Sequence, residues 1–359
     1  MYTKAIIGFA IALIVTLFIT PLVIKLAFKL GVVDKPNGRK VHSNVMPRMG
    51  GLAIFIGVVA GFFASGLYEQ RMLSIALGAI VIVITGLIDD KYELSAKVKL
   101  FAQIFAAIIV IRSDLTVDIL AIPFVGVVEL GWWSYLVTVI WIVAITNAIN
   151  LIDGLDGLAA GVAAIGIATI AGMAFLNEKV LIFALCMLLL GSTLGFLFHN
   201  FYPAKIFMGD TGSMFLGYSI AIVTLLGMYK SVALFSVIVP ITLLGVPVFD
   251  TLMAILRRVK NKRPISAPDK GHLHHRLLDL GLSQRQTVLV IYACGVLFGI
   301  GAILLSNASI VGVIIGVIGI LLGAQLLAEF LKLIHAEYRP LIKVAKKLAT
   351  RAKAMKRGN

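Results

Sequence analysis

Apolar runs divide the chain, most of them continuous for roughly 20 residues, which is the length a helix needs to cross the hydrocarbon core of a bilayer. The first opens at Ala5 and continues to about Leu30. Lipid offers backbone N–H and C=O groups no partner, so only helices or closed barrels can span it. Barrel strands alternate in hydropathy, and these runs do not. With a mean hydropathy of +1.04 and 60% hydrophobic residues, little polar surface is left for a soluble domain. The expected fold is an all-α integral membrane protein, a polytopic bundle of about eleven transmembrane helices, or ten. The first run is too long for a signal-peptide core and lacks a small-x-small cleavage site, so it reads as a retained span.

Eleven spans fit at roughly 5–27, 49–67, 72–88, 98–112, 132–149, 157–175, 179–198, 213–229, 231–255, 288–306 and 309–331. A formal charge of +15 could signal nucleic acid, anionic lipid or membrane topology, and its distribution decides between them. Lys4, Arg71, Arg112, Lys179 and Lys230 fall on one side, whereas the dense basic clusters at 31–49, 91–99, 257–285 and beyond 332 all fall on the other. That asymmetry is the positive-inside pattern, so the basic side is cytoplasmic, the N-terminus lies outside and the C-terminus inside. Nucleic acid is not implied as a partner; the lipid bilayer is.

Residues 1–331 read as one membrane domain with polar cytoplasmic loops at 31–49, 89–99, 147–160, 199–213 and 256–287, followed by a basic cytoplasmic tail at 332–359. The outer joints are short except 113–131, whose β-branched residues around Pro123 and Gly126 predict a small hairpin. Cys186 and Cys294 each sit inside an apolar run and read as core residues. Gly312, Gly316, Gly319 and Gly323 give GxxxG spacings in the last span, which serve either close helix packing or a homodimer contact. Ser283 followed by Gln286 has the pattern of a capping box.

The polar clusters all fall on the cytoplasmic side. The first loop carries Pro47-Arg48-Met49-Gly50-Gly51, a tight turn into the second span that presents Arg48 and His42. The third span ends in Asp89-Asp90, where adjacent carboxylates repel each other and oppose the negative end of the helix dipole. A metal ion or Lys91, Lys97 and Lys99 would have to compensate them. Around TNAINLIDGLDGLAA, residues 146–160, Asp153 and Asp156 would share a helical face, with Asn150 one turn earlier offering an amide oxygen of the type hard cations use. Gly154, Gly157 and Gly161 leave room for a ligand or another backbone. Asp210 lies in Gly-Asp-Thr-Gly-Ser, with Ser213 placed to cap the eighth span and that helix's N-terminus open to phosphate. His272, His274 and His275, beside Lys270 and Arg276, favour phosphate over a metal cation, because the neighbouring cations would repel one. Carboxylates and an amide for Mg²⁺, with cationic groups for phosphates at a membrane surface, suit phosphoryl transfer between a soluble polyphosphate and a lipid phosphate.

In their order, PRMGG, DDxxxLS, NAINLIDGLDGLA, GDTGS and HLHH closely resemble the polyprenyl-phosphate N-acetylhexosamine-1-phosphate transferases, over residues from about 34 to 280. Pro47, Arg48, Gly50 and Gly51 with His272, His274 and His275 are similar to the WecA and TagO branch, which uses UDP-GlcNAc. The resemblance implies Mg²⁺-dependent transfer, with Mn²⁺ as a substitute, of GlcNAc-1-phosphate from UDP-GlcNAc to undecaprenyl phosphate. By the same resemblance UMP would be released at the cytoplasmic face of a bacterial plasma membrane, and teichoic acid, O-antigen or a related polymer would be begun. It further implies Asn150 and Asp210 as Mg²⁺ contacts, and Asp153 and Asp156 on the uridine and sugar side with Asn200 and Phe207 nearby. Asp89 and Asp90 would serve the acceptor, with Lys99 balancing charge. His272, His274, His275 and Arg276 would bind the diphosphate, and Arg48 the N-acetyl group. Two alternatives remain beside this one. The branch that takes UDP-MurNAc-pentapeptide differs at PRMGG and HLHH. A secondary transporter needs acids near the membrane midplane, where only Asp250 lies inside a proposed apolar run.

Overall fold

The computed structural model describes residues 1–35, 45–67, 72–122, 126–228, 241–242, 244–262, 271–306, 308 and 310–330. His42, Lys270, the first part of the 231–255 span and the basic tail lie outside them. The described chain is almost entirely helical: α1 (Tyr2–Leu30), α2 (Gly50–Ser65), α3 (Met72–Tyr92), α4 (Ala96–Ile111), α5 (Trp133–Ile152), α6 (Leu158–Leu176), α7 (Val180–Asn200), α8 (Gly209–Met228), α9 (Gly245–Lys260), α10 (Leu273–Asp279), α11 (Gln284–Ser306) and α12 (Ile310–Phe330). Seven of these, α1, α3, α5, α6, α7, α8 and α11, are long and apolar enough to cross a membrane; α2 and residues 311–323 of α12 are shorter apolar helices.

Local chemistry explains the boundaries. Gly31 ends α1 in the left-handed conformation (φ 70°), returning its N–H to Phe28 and that of Val32 to Ala27. Ser95 caps α4 through the Val98 N–H. Ser283 and Gln286 exchange the expected capping-box bonds ahead of α11. The 113–131 connection folds into the expected hairpin, β3 (Ile119–Ile122) against β4 (Gly126–Glu129), tied down where Asp118 accepts the Thr116 and Ser134 hydroxyls. Several helices extend beyond the predicted spans, three of them with polar clusters of the site. α3 carries Asp89 and Asp90 in its last turns, α5 carries Asn147 and Asn150, and α8 starts at Gly209 rather than at 213. The described part of the ninth span is shifted, because α9 runs to Lys260 and buries Asp250, Arg257 and Arg258.

Small residues set how closely the helices approach, as expected where packing rather than hydrophobicity drives association. Thr16 of α1, Ser192 of α7 and the Ile54 carbonyl of α2 form one hydrogen-bonded chain beside Gly57. α8 is buried on every side, with Gly86 of α3 against Thr211, Gly51 of α2 against Gly212, and Gly217 against Thr146 of α5. At this end of the bundle two loops are joined by backbone. β1 (Val33–Asp34) pairs with β2 (Met46–Pro47), Phe207 donates to the Pro47 carbonyl, and Gly50 and Gly51 donate to the carbonyls of Phe207 and Met208. The PRMGG turn is thereby locked to the segment that leads into α8.

A Cβ on Gly51 would collide with the Gly212 backbone, which has no side chain to move aside, whereas one on Gly319 of α12 would meet nothing within 4 Å. Gly51→Ala is therefore expected to lower the melting temperature in detergent by the equivalent of roughly 1–3 kcal/mol or more, and Gly319→Ala to leave it unchanged or slightly higher. Equal effects would contradict this packing.

Candidate active site

Two adjacent acids at the C-terminal end of a buried helix need compensation, and each receives a different kind. Asp90, 6% exposed, reaches across to α8 and accepts the N–H of Asp210 at 2.7 Å on one oxygen. Its other oxygen accepts the N–H and hydroxyl of Thr211 at 3.2 and 2.6 Å. Arg48 Nε adds an ion pair at 3.2 Å. Asp90 is thus the N-cap of α8, supplied from a distant part of the chain, and it lies at the positive end of that helix's dipole. The amides expected to be open to phosphate are taken by this carboxylate. Ser213, expected as the cap, lies inside α8 and bonds the Gly209 carbonyl instead.

Asp89 accepts the Leu94 N–H at 2.7 Å on one oxygen and the Lys99 ammonium at 3.1 Å on the other. Lys99 also contacts Asp210 Oδ2 at 2.7 Å, and Arg48 contacts Asp210 Oδ1 at 3.0 Å. Two cations therefore bridge three carboxylates, with Asp210 central. Lys91 lies over the Tyr92 ring and Lys97 is exposed, so of the three lysines considered only Lys99 takes part. Burial acts to lower the Arg48 pKa, but Asp90 and Asp210 outweigh it and hold the guanidinium above its ordinary value.

Beside this network lies a cavity of about 660 Å³, lined among others by Arg48, Lys99, Asn150, Asp153, Asp156, Asn200, Phe207, Asp210 and His275. Asp34, which gave no distinguishing signal in the sequence, lines it too. Asn200 is committed at both ends, accepting the Gly157 N–H and donating to the Ile206 carbonyl. Asp156 accepts the Ala204 N–H at 3.0 Å and so shapes the rim. The Asn150 amide N–H donates to Ser213 at 2.8 Å, which leaves its carbonyl oxygen available. Asn147 faces away and bonds Gln103 of α4. The spaces at the glycines of this stretch are filled by side chains: at Gly154 by His274, and at Gly161 by Tyr292, whose hydroxyl donates to the Gly157 carbonyl.

The histidine cluster divides. His272 Nδ1 lies 2.8 Å from Asp250 Oδ2, and His274 is buried against Gly154, where burial and the neighbouring His275 push it down to about 3 and leave the ring neutral. Only His275 reaches the cavity wall; Arg276 lies 3.9 Å from Asp279, away from it.

Asp153 faces the cavity, and no described residue reaches its carboxylate with a hydrogen bond or ion pair. Although its surface is exposed to the cavity, desolvation by the surrounding protein, and then Asp210, Asp90 and Asp156, push it up to about 7 against the opposing effect of Arg48. Asp34, Asp153, Asp156 and Asp210 thus outnumber Arg48 and Lys99 around a space open to solvent. No group of three or more His, Cys, Asp or Glu suited to a metal occurs among the described residues. Mg²⁺ does not require one, since it commonly takes one or two carboxylates and completes its shell with water and substrate oxygens. Asp210, Asp153 and the Asn150 oxygen fit that donor set.

Comparison with known proteins gives one family and a consistent group of relatives. The sequence model of glycosyl transferase family 4 matches residues 72–228. The chain is 55% identical over 350 residues, 97% of its length and 98% of the relative's, to a probable undecaprenyl-phosphate N-acetylglucosaminyl 1-phosphate transferase of Bacillus subtilis. It is 38% identical to a decaprenyl-phosphate N-acetylglucosaminephosphotransferase of Mycobacterium leprae, with 78% of each chain covered. Identity to an undecaprenyl-phosphate alpha-N-acetylglucosaminyl 1-phosphate transferase of Salmonella typhi is 29%, with 81% of each covered.

Two outcomes follow from this geometry. Asp90→Ala removes the cap of α8 and a buried ion-pair partner, so it is expected to lose roughly 3–5 kcal/mol of stability, read as a fall in melting temperature; an unchanged value would contradict the capping role. With its carboxyl pushed up toward 7 in the folded protein and near 4 in an unfolded chain, Asp153's own contribution to metal-free stability is present below about pH 4 and lost as pH rises to about 7. Asp153→Asn is therefore expected to melt higher than the parent at pH 8, with the gap narrowing toward pH 5. A gap independent of pH would remove the assignment.

Proposed function

This chain belongs to the polyprenyl-phosphate N-acetylglucosamine-1-phosphate transferases of glycosyl transferase family 4, and from that membership we propose that it transfers N-acetylglucosamine 1-phosphate from UDP-GlcNAc to undecaprenyl phosphate, releasing UMP. The supporting observation is an ion-pair network in which Arg48, Lys99 and Asp210 line a cavity large enough for a small organic ligand and are held from behind by the buried Asp89 and Asp90. The setting is the cytoplasmic face of a bacterial plasma membrane, with about eleven crossings, the N-terminus outside and the C-terminus inside. The product begins a cell-envelope polysaccharide such as teichoic acid.

The lipid phosphate oxygen attacks the phosphorus that carries the sugar; that P–O bond forms as the bond to UMP breaks, and UMP leaves with the electron pair. Phosphoryl transfer asks chiefly for alignment and charge neutralisation. Mg²⁺, held by Asp210 and Asn150 with Asp153 beside them, would neutralise the diphosphate and favour UMP as leaving group. Asp89 is the acid suited to the acceptor. Its oxygens hold the Leu94 N–H and Lys99, with Asp210 also in hydrogen-bond reach, whereas both of Asp90's are engaged at the α8 terminus. Asp89 takes the acceptor's proton where one is present and orients its phosphate, with Lys99 holding charge balance toward Asp210. Arg48 and His275 meet the anionic donor from two sides of the cavity, and Asp156 and Phe207 shape the nucleotide-sugar side.

Detergent-solubilised protein with Mg²⁺ is expected to release UMP from UDP-GlcNAc only when undecaprenyl phosphate is added. Asp89→Asn should retain the parent's melting temperature while kcat falls roughly 10²–10⁴-fold. Asp210→Ala should be inactive at every Mg²⁺ concentration. Near-parent turnover in either variant would remove the corresponding role, and a parent inactive with every UDP-aminosugar would remove the reading itself.

A further inference from the structure

Asp250 touches nothing in the reaction described above, yet it is 2% exposed in the middle of α9, where an unpaired carboxylate would be costly. Its two oxygens serve two consecutive residues of one neighbouring segment. Oδ2 lies 2.8 Å from His272 Nδ1, and Oδ1 accepts the Leu273 N–H at 2.8 Å. Leu273 is the first residue of α10, so Asp250 caps that helix from another element, as Asp90 caps α8. Two turns further along the same buried face of α9, Arg257 packs on Gly271, where a Cβ would come within 2.5 Å of Nε. The face of α9 formed by Asp250, Ala254 and Arg257 is therefore the seat of the segment that carries the histidines.

α10 has only seven residues, too few to hold an orientation by helix propensity, so its anchors fix its direction. Asp250 holds the N-terminal end, His274 seats on Gly154, and Leu273 and Leu277 bury the apolar side. The residue this orientation delivers to the cavity wall is His275. We propose that Asp250 is a positioning residue for the transfer reaction: by holding His272 and the Leu273 N–H it fixes the start of α10, so that His275 stands where it binds the diphosphate of the nucleotide-sugar. This rests on the nucleotide-sugar reading of the cavity.

A double-mutant cycle on the full-length protein separates the two. Asp250→Ala, His275→Ala and the double variant are compared for kcat, for KM toward each substrate, and for affinity to UDP alone by calorimetry. Asp250→Asn serves as a milder variant that keeps one acceptor oxygen. Asp250→Ala is expected to raise KM for UDP-GlcNAc and weaken UDP binding about ten-fold, with KM for undecaprenyl phosphate unchanged and the double variant no worse than His275→Ala; Asp250→Asn should fall between. Multiplying penalties, or a lower melting temperature with unchanged donor KM and UDP affinity, would overturn the positioning role. A parent that releases no UMP would overturn the activity reading instead, while UDP affinity in the same four proteins would still decide the part played by Asp250.

Discussion

A carboxylate that meets two backbone N–H groups at a helix N-terminus gains their hydrogen bonds and the favourable end of the dipole, and Asp90 does this for α8 from the last turns of α3. That one contact accounts for several others. It places Asp210, whose own N–H is bound, at the first turn of the most buried helix, and it draws Arg48 inward from the PRMGG turn. The backbone ladder between Pro47 to Gly51 and Phe207 to Met208 then closes the same region from the other side. Close glycine contacts at Gly51 and Gly86 are the steric condition for these elements to come so near α8.

The same contact separates two acids that the sequence presents as a pair. Asp90 is used by architecture, and Asp89 is left with Lys99 as its cationic partner. Lys99 in turn bridges to Asp210, so in the proposed reaction the acceptor side and the donor side share one cation. A ligand that changes the charge near Asp210 must therefore be felt at Asp89, a coupling suited to a reaction in which two anions are brought together. On the cavity side carboxylates outnumber cations, which suits the proposed entry of an anionic donor together with a divalent ion.

Much of this was legible in the residues. Run length gave the helical membrane class, the Pro-Gly pattern of 113–131 gave the hairpin, and Ser283 with Gln286 gave the capping box. Residue type also picked out most of the polar side chains on the cavity wall, because acids, amides and histidines at helix ends in an apolar chain have few other uses. Partnership was not legible. Asp90 and Thr211 are far apart in sequence, and no local pattern says that a carboxylate on one helix caps another. For the same reason HLHH reads as one phosphate cluster, although Asp250 takes His272, Gly154 takes His274 and only His275 faces the cavity. The GLDG glycines signalled close approach correctly in kind, but the groups that approach are the His274 and Tyr292 side chains. The one acid that pointed toward transport, Asp250, is consumed by this internal contact.

In the proposed reaction donor and acceptor react directly, with Asp89 and Asp90 held in the ion-pair and capping network rather than free to attack phosphorus. The most direct measurement is isotope exchange between labelled UMP and UDP-GlcNAc, with Mg²⁺ and without any lipid acceptor. Direct transfer predicts no label in UDP-GlcNAc until undecaprenyl phosphate is supplied. Exchange in its absence would require a phosphosugar held covalently on the protein and would contradict the account.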